Sequence, residues 1–212
     1  MTTSIDPRLL QLASPALPVG AYSYSGGLEA AVEASLVSDA ASAERWIGDV
    51  LEQSLARIEA PLLLRMIERP DARWNDMFVA SRETAELRAE TLQMGYSLAN
   101  LLRDLGIEVP DIDELSFPMA FSCAVRHWGI DPRQALIAYL WTWVENQVMA
   151  AIKAVPLGQT DGQKMLLALG ARLEGLGARA ASLSEEDLAN FAPGLAILSA
   201  RHETQYSRLF RS

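Results

Sequence analysis

The stretch DPRQALIAYLWTWVENQVMAAIKAVP, residues 131–156, constrains the fold most. Asp131 can cap a helix, Pro132 suits a first helical position, Gln134 stands where a reciprocal capping partner belongs, and Pro156 marks the end. Between them the apolar residues, from Leu136 through Trp141 and Trp143 to Ile152, occupy nearly all sides of the helix instead of one stripe. A helix that is apolar all round has to be surrounded by others. The chain is therefore expected to be a bundle built about this segment.

The rest of the sequence supplies helices to surround it. Asp39 or Ser42 can cap a helix carrying Trp46, Val50, Leu51, Leu55 and Ile58 on one face, which Pro61 should end or kink. Leu87, Met94, Leu98, Leu101 and Leu105 make a second stripe, with Gly106 where a left-handed terminating residue belongs. A short helix is expected from Pro118 to His127 with Gly129 as its stop, and another from Thr160 or Asp161. Ser184 to Asp187 reads as a variant capping box, and a last helix is broken or offset at Pro193. No strand, repeat or low-complexity segment stands out. The predicted fold is all-α: one irregular single-domain bundle of about eight helices over residues 1–212, with a flexible start (1–13) and a mobile tail (206–212).

Charge and cysteine content narrow the function. Eighteen Lys and Arg against 27 Asp and Glu give a net charge of −9, which repels nucleic acid and anionic membranes. The start lacks the pattern of a signal peptide, and no apolar run is long enough to span a bilayer. A lone cysteine, Cys123, closes no internal disulfide, which suits the cytoplasm.

Catalytic motifs are missing. SPALPVGAYSYSGGLE, residues 14–29, has glycines before a helix, but neither it nor LGQTDGQK (residues 157–164) has the order of a phosphate-binding loop. No G-x-S-x-G elbow or paired Cys and His nucleophile appears. Cys123 and His127, four apart on one helix face, are metal candidates, and His202 beside Glu203 is another. A tight site normally gathers three or four ligands, so core packing of Cys123, helix-end placement of His127 and exposure of His202 carry more weight.

What remains suits protein contacts. Tyr22 and Tyr24 lie in a Pro- and Gly-rich loop that fixes backbone geometry and presents rigid aromatic area. Trp141 and Trp143 read equally well as core or interface. Lys153 is the only charge between Glu145 and Asp161, and it either complements its helix C-terminus or anchors a partner. Arg208, Leu209 and Phe210 place arginine and bulky apolar groups close to the end of the sequence.

Three blocks resemble the urease accessory protein UreF family: LASPALPVGAYSYSGGLEAAVE (12–33), YLWTWVENQVMAAIKAVPLGQTDGQKML (139–166) and HETQYSRLFRS (202–212). The resemblance implies an all-α, often dimeric chaperone without catalytic residues. Its implied partners are UreD (also called UreH), the GTPase UreG and apo-urease, and its implied task is to couple GTP hydrolysis to nickel insertion. No cofactor is expected to be tightly bound, with nickel only in transit. The implied partner-binding residues are Tyr22, Ser23, Tyr24, Ser25, Glu29, Lys153, Tyr206, Arg208, Leu209 and Phe210. The rival readings are an all-α enzyme and a nickel-storage protein acting alone.

Overall fold

The computed structural model describes residues 6–212, and every described element is helical. α1 (Pro7–Leu12) leads into the Pro- and Gly-rich loop, which contains one 3-10 turn (Ala21–Ser23) and delivers the chain to α2 (Leu28–Glu33). α3 (Ala40–Val50), a π-helical stretch (Leu51–Glu59) and α4 (Ala60–Glu68) follow as one continuous rod. After α5 (Ala72–Ala80) come α6 (Ala85–Asp104), α7 (Phe117–Trp128) and α8 (Pro132–Ala154). α9 (Gln159–Gly170), α10 (Leu173–Ser182) and α11 (Pro193–His202) complete the order. With the rod counted once, eight helices reach nine residues or more among the described residues, as the apolar patterning implies.

α8 is the centre of the bundle and packs against α2, α3, α4, α9 and α10. Asp131 caps it by accepting a hydrogen bond from the Gln134 amide at 2.9 Å. Trp141 and Trp143 are half-buried against the core. α6 and α7 pair closely because Gly95 lets their backbones meet: a β-carbon there would lie 2.2 Å from the Leu115 carbonyl oxygen.

Two expectations are corrected. Pro61 does not end its helix, because the register before it has widened to π: the Ala60 amide donates to the Leu55 carbonyl, five residues back. Pro61 has no N–H for the Arg57 carbonyl, and that oxygen accepts from the Ala189 amide at 3.4 Å instead. The Gln53 carbonyl likewise accepts from Phe191 at 3.1 Å. Ser184 and Asp187 do hydrogen-bond, but they close a turn and no helix begins there. Within the expected flexible start, Pro7–Leu12 form α1, capped by Asp6 and anchored by buried Leu9 and Leu12; residues 1–5 lie outside the described residues.

Candidate functional site

The Pro- and Gly-rich loop takes its shape from left-handed glycines. Gly27 has φ +81°, where a side chain is strained, and a β-carbon on it would come within 2.7 Å of Leu195 Cδ1 and push that side-chain tip aside. This geometry exposes Tyr22, 69% accessible, while Tyr24 is buried with its carbonyl accepting from Asn146 Nδ2 at 3.0 Å. It also points the main chain of Ser23 and Ser25 at the other end of the sequence.

That end, residues 206–212, lies across the loop as a strap. The Arg211 amide donates to the Ser23 carbonyl at 2.8 Å, and the Ser25 amide donates to the Ser212 carbonyl at 3.0 Å. The Ser25 hydroxyl makes a further short contact with that carbonyl. Beneath the strap, the Glu29 carboxylate accepts from the amides of Leu209 at 2.7 Å and Phe210 at 2.8 Å, and from Gln205 Nε2 at 3.3 Å. A buried carboxylate facing several N–H donors makes charge-assisted bonds, the strong class. The segment expected as a mobile tail is docked in this structure, where Glu29 satisfies amides that would otherwise hold water.

The individual residues divide sharply. Phe210 is buried, with Lys153 Nζ of α8 placed 5.6 Å from its ring centre. Leu209 is 70% accessible and Tyr206 fully so. Arg208 is engaged by its own chain: Nη1 donates to Glu86 at 2.6 Å, Nη2 to the Glu203 carbonyl at 2.6 Å and Nε to the Gln205 carbonyl at 2.8 Å. The ten partner-binding residues named from the sequence therefore gather in one region, where Tyr22, Lys153, Tyr206 and Leu209 face outward. Tyr24, Ser25, Glu29 and Phe210 form the support beneath them.

The metal candidates do not gather. His202 is wholly buried, contrary to the exposure expected for it, with Nδ1 2.7 Å from Glu86 and Nε2 3.4 Å from Glu29. Cys123 and His127 line a separate open cleft with Arg103 and Arg126. Cys123 is buried, which pushes its thiol pKa up, and His127 is exposed. Among the described residues no three His, Cys, Asp or Glu side chains are grouped so as to hold a metal.

Sequence reasoning passed over Glu86 and Glu90 of α6. Glu86 reads as an acidic first-turn residue that favours the helix dipole. The spacing of four residues, which puts both on one face, was the available signal. Glu86 in fact clamps Arg208 and His202, and Glu90 accepts from the Ser212 hydroxyl at 2.8 Å. Close by, Glu59 pairs with Arg82 at 3.1 Å and accepts from the Tyr139 hydroxyl, whose pKa burial raises well above its ordinary value.

No described helix is long and apolar enough to cross a membrane. The UreF family model matches residues 37–170. The urease accessory protein UreF of Azoarcus sp. (strain BH72) is 57% identical, the match covering 97% of this chain and 94% of that protein. Those of Dechloromonas aromatica (strain RCB) and Janthinobacterium sp. (strain Marseille) are 50% and 47% identical; each match covers 97% of this chain, with 96% and 97% of those proteins covered. With the docked strap, the helical bundle and this near-full-length similarity together, the chain belongs to the UreF family of urease accessory proteins.

Proposed function

We propose that the face formed by Tyr22, Lys153, Tyr206 and Leu209 docks UreD/UreH and the GTPase UreG on apo-urease. Through it the chain bridges the GTPase to the assembly and couples GTP hydrolysis to nickel delivery. The protein acts in the cytoplasm as a homodimer within that complex. It is a chaperone and not an enzyme, and nickel passes in transit without a tightly bound cofactor.

One observation carries this reading. Residues up to 187 positions apart in sequence converge into a surface whose outer groups are aromatic, aliphatic and cationic, on a chain that is acidic overall. Tyrosine and basic groups on a rigid support are what interface anchors require. The experiment is capture of UreG by a purified complex of UreD/UreH with this chain. Tyr206→Ala and Leu209→Ala, which remove exposed side chains only, are expected to reduce capture and urease activation together while leaving the helical content unchanged. Full capture by the double variant removes this face from consideration. The nickel-storage reading is tested by calorimetry on the isolated chain, where a stoichiometric sub-micromolar site would favour storage.

A further inference from the structure

A partly open cavity of about 90 Å³ has walls that include Glu59, Arg82, Glu90, Tyr139 and Asn190, and the strap reaches it through the Ser212 bond to Glu90. Two of its carboxylates, Glu59 and Glu90, are treated differently. Glu59, from the π stretch, is compensated by the Arg82 guanidinium at 3.1 Å and by the Tyr139 hydroxyl. Glu90, half-buried on α6 with its carboxylate turned into the cavity, has the neutral Ser212 hydroxyl at 2.8 Å as its hydrogen-bond partner. That hydroxyl in turn accepts from the Gly26 amide at 3.3 Å, so loop, strap and Glu90 form one chain of hydrogen bonds. A carboxylate taken out of water without a cation partner is expensive when ionised and inexpensive when protonated.

We propose that the strap is proton-linked: closing Phe210–Ser212 over Glu90 is coupled to protonation of that carboxyl, so the docking face is held together more firmly as pH falls and loosens as pH rises.

The charged and titratable surroundings agree. Glu59 repels a charge on Glu90 and favours its proton; Arg82 opposes this but is already paired with Glu59. Tyr139 is neutral, and Glu83, another wall residue, has its own pKa raised by burial. His202 on α11 faces Glu29 and Glu86 instead. Burial first, and Glu59 in addition, push Glu90 from an ordinary 4.5 up to about 7, against the opposing Ser212 bond. With the strap lifted, Glu90 meets water and returns toward the ordinary value. An acid whose pKa is higher in the closed state closes best below about 4.5 and loses that advantage progressively as pH rises to about 7. The linkage is a property of the isolated chain and holds whether or not the face docks UreD/UreH.

Amide hydrogen exchange on the full chain tests it, with protection of Leu209, Phe210 and Arg211 corrected for the intrinsic pH dependence of exchange. Protection is expected to fall roughly tenfold or more between about pH 5.5 and about pH 8. Glu90→Gln, which mimics the neutral acid, should show high protection at both values. Flat protection in the unmodified chain overturns the proposal, and so does a slope that survives in Glu90→Gln. A titration of the Glu90 carboxyl by NMR needs no variant: a midpoint near 7 supports the linkage, and one near 4.5 ends it.

Discussion

Lys153 Nζ stands 5.6 Å from the centre of the Phe210 ring, joining the last turn of α8 to the strap. The ammonium is exposed while the ring is buried. Phe210 therefore holds the strap in place, and Lys153 forms part of the surface presented outward. Sequence alone left Lys153 between helix-end complement and partner anchor, and its position on the shared face is compatible with both.

These roles separate on substitution. Lys153→Ala forfeits a cation–π contact of roughly 0.5–1 kcal/mol, so its melting temperature should move little while capture of UreG weakens. Phe210→Ala exposes the strap's apolar anchor and should cost about 1.5–3 kcal/mol of strap docking. Thermal melts beside capture assays distinguish them. If Lys153→Ala lowers stability as much as Phe210→Ala and leaves capture intact, the lysine is only structural.

Glu29→Gln should release the strap without unfolding the bundle. The substitution removes the charge from bonds to the Leu209 and Phe210 amides and turns an amide group toward those donors, a loss of roughly 1.5–3 kcal/mol. Exchange at these two amides should accelerate by an order of magnitude or more, with core protection in α8 retained. Unchanged protection would mean that Glu29 does not hold the strap.

Cys123 should be a slow thiol. It is 6% accessible and burial raises its pKa, so thiolate is scarce at neutral pH. Alkylation in the native state should lag far behind alkylation in denaturant, and added nickel should leave the native rate unchanged. Protection that appears only with nickel would return Cys123 and His127 to the metal candidates.

Gly95→Ala should be among the most damaging single changes outside the site. Its methyl group would overlap the Leu115 carbonyl and the backbone of Ser116 and Phe117, neither of which can move as a side-chain tip could. We expect a loss of roughly 1–3 kcal/mol or more in chemical denaturation, from overpacking between α6 and α7. A stability within experimental error of the parent would show that these helices slide apart freely.

Much of the architecture was readable because it is local. The Asp131–Pro132 start, the all-round apolar α8 and the stop at Gly129 each announce themselves within a few residues. The π stretch did not, since Leu51, Leu55 and Ile58 are spaced as an ordinary α-helical stripe, and the amides that donate to its Arg57 and Gln53 carbonyls come from residues 189 and 191. The site divides in the same way. Resemblance named Glu29, Lys153 and the strap residues, but which of them face outward depends on contacts made more than 100 residues away. Arg208, implied as a partner-binding residue, is held by Glu86, and Glu86 and Glu90 gain their roles only from the strap that returns over them.

The bond from Ser25 to Ser212 spans 187 residues of chain. At roughly 5–20 residues per second, a ribosome needs about 10–40 s to travel from one to the other. Throughout that interval the nascent bundle can gather its core, yet the Glu29 carboxylate has no amides to receive and the docking face lacks half its parts. Under the proposed docking, the complete face is therefore confined to chains whose translation has reached the strap.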